Sequence, residues 1–490
     1  MDIRRRFSLR RILMALVAIS VCVWLASVVL LSSRLVIGPE TTYVLGPLRS
    51  DGFVDYCAAL HQRLSAGIAP ADNAAILIDR AFGLAAISPD LRAQYFERIG
   101  IEPQLEGGQY ILTQSALMNQ KLKGTAGSPE LAEATAREFE RARQGPWVRE
   151  DCPVVAEWLE INSSPMSLIT EAAKRSRYYS PLVSRAGLMQ AESAQNVREA
   201  GRLLSTRAML RLGQHDVGGA WSDLLDCHRL AQLVSQRAPT MNSLLVAMAL
   251  GLSATNGEAA LIAYGLSAEQ ARECLADHAQ LLPFTPLADV VDQGNRLETL
   301  DALIQQLKGA RDINTLLLRA NRTYDDFVSA LRQGTFEQRQ QAFADIETRL
   351  RQRIAASSHP MRLTASLITN SRESMGDVLL SLCLPAWRQG DAAQTRADVR
   401  LDLGRIGFAL AGFRAQAGTF PGTLDELVPK YLEVLPVDRY SNHPLVYTRR
   451  ADGFLVYSVG ANLRDDEGRM GSGEASDDIA FEVPPQIVTP

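Results

Sequence analysis

Histidine, cysteine and tryptophan are scarce in this 490-residue chain, at six, six and five residues. The histidines (His61, His215, His228, His278, His359 and His443) are never set at helical ligand spacing. That argues against a histidine metal site written locally in the sequence, and leaves surface or helix-end positions as their expected places. No C-x-x-C occurs, so a zinc knuckle is not implied. Catalytic signatures are missing as well: no G-x-S-x-G, H-E-x-x-H, Walker loop or Rossmann glycine pattern stands in a suitable context. Charge is nearly balanced, 51 basic against 55 acidic residues for a net of −4. No basic stripe is interleaved with aromatics, which argues against a nucleic-acid partner.

What is present begins at the N-terminus. Ile12 to Leu31 is an uncharged, mostly apolar run, long enough to cross ~30 Å of hydrocarbon as a helix. Arg4, Arg5, Arg6, Arg10 and Arg11 precede it. By the positive-inside rule, this reads as a basic cytoplasmic tip (1–11) and a single-pass signal anchor (12–32) in the inner membrane, with the rest outside in the periplasm. A cleaved signal peptide is the alternative, but its apolar core is usually only ~7–15 residues and no A-x-A site follows here. No second run of comparable length is read from the sequence. The chain is too long for one small core. The expected division is a stalk (33–50), an α-helical ectodomain (51–397) and a small C-terminal α+β domain (398–490).

The ectodomain reads as helical throughout. Phe53, Tyr56, Cys57, Leu60 and Leu64 keep one buried stripe. Pro70-Ala-Asp72-Asn73 starts a helix from Ala74 to Leu84, Ser88-Pro89-Asp90 a third to Ile99, and Asp151 is expected to cap another with Pro153 in its first turn. Leu203 to Leu212, the turn Gly213-Gln-His-Asp216 and Ala220 to Ala231 form an α-hairpin of tetratricopeptide type. A fixed repeat period is missing, so an irregular array is expected. Helices follow at 244–251, 267–281, 297–307 and 335–356. The charged stretch 309–358 reads as exposed helices or an excursion above the core. Five cysteines lie beyond the anchor: Cys57, Cys152, Cys227, Cys274 and Cys383. Cys227 and Cys274 read as small buried residues, and Cys57–Cys152 is the one bridge considered.

The last ninety residues carry the densest set of ordered motifs. Leu403–Ala417 is amphipathic and Gly418-Thr-Phe-Pro421 breaks it. Leu424-Asp-Glu-Leu427, Leu435-Pro436-Val-Asp438, Tyr457-Ser-Val-Gly460 and Asp477-Asp478-Ile479 then follow. This run resembles the globular part of the major (G-type) pseudopilins of type II secretion. The resemblance implies a small domain with an antiparallel sheet and a calcium site. In the family the paired acids before the last isoleucine are among the ligands, which nominates Asp477 and Asp478, then Asp465 and Asp466. From the residues alone, Asn462, Asp465, Asp466, Asp477 and Asp478 gather hard oxygens around flexible glycines, as calcium requires; a solvated acidic turn is the plainer reading. The chain departs from the family in two ways. Residues 33–397 separate anchor from domain, and the apolar run has neither an acidic residue nor a prepilin-type cleavage signal. Elsewhere, Asp51-Gly-Phe-Val-Asp55, Trp147…Asp151-Cys-Pro153 and Lys174-Arg-Ser-Arg177-Tyr178-Tyr179 resemble a group of bacterial envelope proteins with an N-terminal anchor and a long helical region. That group implies architecture and no mechanism.

Other polar clusters have plain readings. Lys174, Arg175 and Arg177 with Tyr178 and Tyr179 suit an anionic polymer, or a solvated helix end with half-buried tyrosines. Glu298 and Asp301 near Arg296 read as surface ion pairs. Ser458 belongs to a strand end. The expected function is a scaffold or partner-binding protein of the envelope. The alternatives are a hydrolase of envelope polymer, with carboxylates assembled by the fold, and an atypical pseudopilin-like component.

Overall fold

The computed structural model describes residues 35–484, except 84–86, 103–107, 124–128, 186–187, 192–193, 308–312, 358–372, 470 and 472–475. The expected anchor at 12–32 lies outside the described residues. The described chain is mainly α-helical, with a small antiparallel sheet near its C-terminus.

The first helices form where the caps and stripes place them. In α1 (Tyr56–Ser65), Asp55 accepts from the Ala58 N–H, and Tyr56, Cys57, Leu60 and Leu64 are buried. In α2 (Ala74–Phe82), Asn73 caps the Ala75 N–H. A 3₁₀ turn at Pro89–Leu91 leads into α3 (Arg92–Ile99). Next come α4 (Gln114–Lys123), α5 (Pro129–Gln144), α6 (Pro153–Ile161) and α7 (Ser163–Ala172). The cap of α6 is Cys152 and not the expected Asp151. Asp151 instead turns back to accept from the Val148 N–H at 3.2 Å, which leaves Pro153 to set the first turn. A hairpin of β1 (Leu182–Arg185) and β2 (Leu188–Ala191) stands where only helices were expected. Leu182 and Val183 are buried, and β1 packs on α1 and α3.

The predicted α-hairpin is α8 (Ala194–Gly213) and α9 (Val217–Gln236), with Asp216 capping the Gly219 N–H. Both pack on α10 (Met241–Tyr264). By length and composition α10 could cross a membrane, but it is mostly buried inside the protein. The expectation of no second long apolar run missed it, because Asn256, Gly257 and Glu258 divide the run when it is read linearly. A helix apolar all round is a core helix when other helices cover it. At Gly257 a β-carbon would lie 2.5 Å from Leu224, so glycine there lets α9 and α10 approach.

Then follow α11 (Ala268–Ala279), α12 (Leu287–Val290), a π-helical turn at Val291–Asn295 and α13 (Arg296–Leu307). The charged stretch 309–358 is not an excursion. It folds as α14 (Ile313–Leu331) and α15 (Phe336–Ser357). Leu316, Leu317, Tyr324 and Phe327 are buried on α14, and Phe336, Phe343, Ile346 and Leu350 on α15. Few apolar residues suffice because each set shares one helical face. The expected stalk also lies on the body: Leu35, Ile37, Tyr43 and Val44 pack on the core, and the Asn321 amide donates to the Glu40 and Thr41 carbonyls at 2.9 and 2.8 Å.

The last helix, α16 (Glu373–Ala417), runs unbroken through the expected domain boundary at 397/398. One hydrophobic core extends from Val54 to Val483, and α16 contacts α10, α11, α15 and β5 along its length. Beyond it, β3 (Val446–Arg449), β4 (Phe454–Ser458) and β5 (Ile479–Val483) pair antiparallel in that order. Phe454 and Phe481 are buried, and Phe481 fits over Gly407, where a β-carbon would lie 2.7 Å from its ring.

Candidate functional site

The end of β4 is organised by one buried carboxylate. Asp438 accepts from the Ser458 hydroxyl (2.7 Å), the Tyr440 N–H (2.9 Å), the Ser441 hydroxyl (3.0 Å) and the Val459 N–H (3.1 Å). Ser458 is fully buried and serves this strand end, as its sequence context suggests.

From there the acidic loop returns to β5. Of the five nominated residues, Asp466, Asp477 and Asp478 bring carboxylate oxygens within 4.8 Å of one another. Asp478 is 2% exposed. Its Oδ2 accepts from the Gly468 and Asp466 N–H groups at 2.8 and 3.1 Å. Asp477 Oδ2 accepts from the Ala461 and Asn462 N–H groups at 2.9 and 3.1 Å. In each, the other oxygen, Oδ1, is buried with no hydrogen-bond partner. Burial pushes the Asp478 carboxyl up, the two N–H donors oppose this, and Asp466 and Asp465 add to it. Gly460 has φ +67°, and a β-carbon there would lie 2.7 Å from Asp477 Oδ1. Two orphaned oxygens beside a third carboxylate fit a hard cation such as calcium. Asp465 lies outside this cluster, its Oδ1 accepting from the Tyr457 hydroxyl (2.8 Å) and the Glu467 N–H (2.9 Å). Asn462 has a supporting position: its amide nitrogen donates to Asp466 and its oxygen accepts from the Arg464 N–H.

A cleft of about 520 Å³ opens between the start of α15, the middle of α16 and residues 434–442. Its acids are Asp398 and Asp402. Burial pushes Asp398 up to about 6, opposed by Arg439 and reinforced by Asp402. Asp402 is held by both Nε and Nη2 of Arg439, at 2.6 and 3.3 Å. Arg339 is similarly engaged by Asp391 at 2.6 Å. The rim carries Val434, 76% exposed, and Val437, 51% exposed.

A third constellation escaped the sequence reading. His228 on α9, Glu258 on α10 and His278 at the end of α11 meet in the core, all buried. His228 Nε2 lies 2.8 Å from Glu258 Oε1 and His278 Nε2 lies 3.6 Å from it. These histidines were expected at surfaces or helix ends; His228 is instead buried against Glu258 of α10 and the His278 ring. Burial works to raise the Glu258 carboxyl, but His228 and His278 outweigh it and hold the carboxyl below its usual range. Burial pushes His278 down to about 4, against Glu258 and with His228 and Arg405. The sequence signal was Glu258 itself, the one charged residue in Met241–Tyr264.

Other sequence readings change on burial. Arg296, read as a surface residue, is 2% exposed. It pairs with Asp292 and Asp325, both at 2.8 Å, and lies over the Tyr43 ring at 4.2 Å. Asp301 is buried against Arg49 at 3.3 Å, and burial raises Glu298, opposed by its bond from Asn295. Tyr178 and Tyr179 are buried rather than half-buried: the Tyr179 ring lies against His61 of α1, its hydroxyl 2.6 Å from Nδ1, and its N–H donates to Asn73 at 2.9 Å. Arg175 is tied to Glu171 and the Ala71 carbonyl. No Cys57–Cys152 bridge forms: all five described cysteines are free. Cys57 accepts from Arg98 at 2.9 Å, while Cys152 faces the Glu138 carbonyl.

No family model, curated protein or solved structure matches this chain.

Proposed function

We propose that this protein is a non-catalytic scaffold of the bacterial cell envelope that binds partner proteins. Residues 12–32 hold it in the inner membrane with the N-terminus inside, and the helical body and pseudopilin-like lobe stand on the periplasmic side. The observation that carries the partner-binding reading is the cleft beside Val434 and Val437. Exposed apolar side chains grouped beside a groove are a mark of interaction sites. Two of the charges inside it are already engaged, Asp402 by Arg439 and Arg339 by Asp391. A glycosidase-type pair needs one carboxylate free to act as base or nucleophile, and Asp402 is clamped. The order of helix, proline turn, three antiparallel strands and acidic loop supports the pseudopilin-like reading of the lobe, with calcium as the cation of its loop.

The test is a photo-crosslinking residue placed at position 434 of the full-length membrane protein in intact cells. Discrete protein adducts are expected, and they should vanish when Val437 is changed to Asp. Absence of any adduct from position 434 would remove the partner-binding reading. A second reading, hydrolysis of envelope polymer, is favoured by one group: Asp398, an acid lifted to about 6 inside the cleft. Release of soluble fragments from purified envelope glycan, abolished by Asp398→Asn, would replace the scaffold with that enzyme.

A further inference from the structure

The core cluster of His228, Glu258 and His278 is costly as it stands. A carboxylate taken out of water needs its lone pairs satisfied or a compensating charge. Glu258 is wholly buried in a helix that is otherwise without charge, yet only its Oε1 has a partner, His228. Glu258 Oε2 and His278 Nε2 are both buried without a hydrogen-bond partner. These two orphaned atoms face the same point. A β-carbon built on Gly404 of α16 would lie 2.4 Å from Glu258 Oε2 and 3.3 Å from His278 Nε2. Glycine there leaves open the one side of the cluster that α16 would otherwise fill.

We infer that His228, Glu258 and His278 form a buried structural site for a zinc-type divalent ion, which ties α9, α10 and α11 together beneath α16. Two imidazole nitrogens and one carboxylate suit zinc or a neighbouring late transition metal, and not calcium or magnesium, which take oxygen donors. Tetrahedral zinc with bonds of ~2.0–2.1 Å sets its donors about 3.3 Å apart. The two separations to Glu258 Oε1, 2.8 and 3.6 Å, straddle that value, and the three donor atoms all lie within 4.8 Å of one another. Cys274 stands one helical turn before His278 and is buried, but the convergent donor atoms are those of His228, Glu258 and His278 alone. Arg405 adds positive charge nearby, which works against a bound dication, and the Glu258 carboxylate is the group that opposes it. Enclosure by four helices makes the role structural, since a catalytic zinc keeps a position open to solvent or substrate. This site is independent of the acidic loop and of the partner-binding reading.

The experiment uses the full-length chain, purified in detergent and stripped with a chelator. Cobalt(II) is titrated in as an optical probe, and zinc content is measured by mass spectrometry after reconstitution. One cobalt per chain is expected, with the visible bands of a four-coordinate site, displaced by one equivalent of zinc and unchanged by millimolar calcium. Glu258→Gln and His278→Gln should each weaken cobalt binding at least ten-fold. Gly404→Ala, which keeps every donor, should weaken it through loss of space. Far-ultraviolet circular dichroism checks that each variant is folded. Should a variant not fold, the wild-type spectrum decides: bands of octahedral cobalt, or less than 0.2 cobalt per chain (roughly a fifth of one site), overturn the proposal. Tight binding that survives in a folded His278→Gln chain overturns it as well.

Discussion

The Ser458 hydroxyl donates to Asp438 Oδ1 at 2.7 Å, and Asp438 in turn receives three further hydrogen bonds from residues 440, 441 and 459. One buried carboxylate thus ties the end of β4 to the turn that follows Pro436. Asp438→Ala would leave these donors without a partner. The expected loss is about 3 kcal/mol, from the cost of unsatisfied buried groups, measured as a shift of the denaturant midpoint with unchanged slope. A loss under ~0.5 kcal/mol, the range of ordinary surface changes, would contradict this.

Calcium should stabilise the chain through Asp466, Asp477 and Asp478. At a free concentration ~100-fold above its Kd the gain is about 2.7 kcal/mol, visible as a rise in melting temperature. The double variant Asp477→Ala/Asp478→Ala should show no rise. The full chain is the right sample, because α16 crosses residue 398 and a fragment cut there would lose half its helix.

Stability should fall as pH rises from about 4 to about 7, in part through Asp79. Burial lifts this carboxyl from 3.8 to about 7, against the hydrogen bond from Tyr95. The folded state therefore holds a proton that the unfolded chain releases near pH 4, so the contribution is fully present below that value. Over this window the slope is roughly 1.4 kcal/mol per pH unit for one such group. Asp79→Asn should flatten the profile and be more stable than wild type at pH 8. Chemical denaturation at several pH values measures both.

Arg296 should matter more than a surface arginine. It bridges Asp292, Asp325 and the Tyr43 ring, and so fastens the segment 35–48 to α13 and α14. Replacing it by Ala leaves Asp292 without its cation, at an expected cost of about 3 kcal/mol. Limited proteolysis should then cut near residue 43 first, and unchanged resistance there would count against the role.

Reducing agent should leave the melting temperature unchanged, because all five described cysteines are free. Burial raises the thiols of Cys57, Cys152, Cys227, Cys274 and Cys383. Thiol reagents at pH 8 should therefore label the folded body slowly and the unfolded chain fast. Rapid labelling of Cys227 in the native state would show that α8 and α9 are not packed as described.

The sequence by itself determined the helices and the lobe, because their signals are local. Asp55, Asn73 and Asp216 cap helices by reaching N–H groups two or three residues away, and a stripe such as Tyr56, Cys57, Leu60 and Leu64 is set by a period of under four residues. The antiparallel sheet was implied only by the resemblance of the last ninety residues, and of its strands 446–449, 454–458 and 479–483 only the end of the second was marked by a local motif, Tyr457-Ser-Val-Gly460. The position of the acidic loop was legible too, though which oxygens converge depended on hydrogen bonds to 461, 462, 466 and 468. Only the tertiary structure decided the rest. That α10 is a core helix depended on α8, α9 and α16 covering it. His228 and Glu258 stand 30 residues apart, and their meeting with His278 is fixed by how three helices pack, a long-range fact that no spacing encodes.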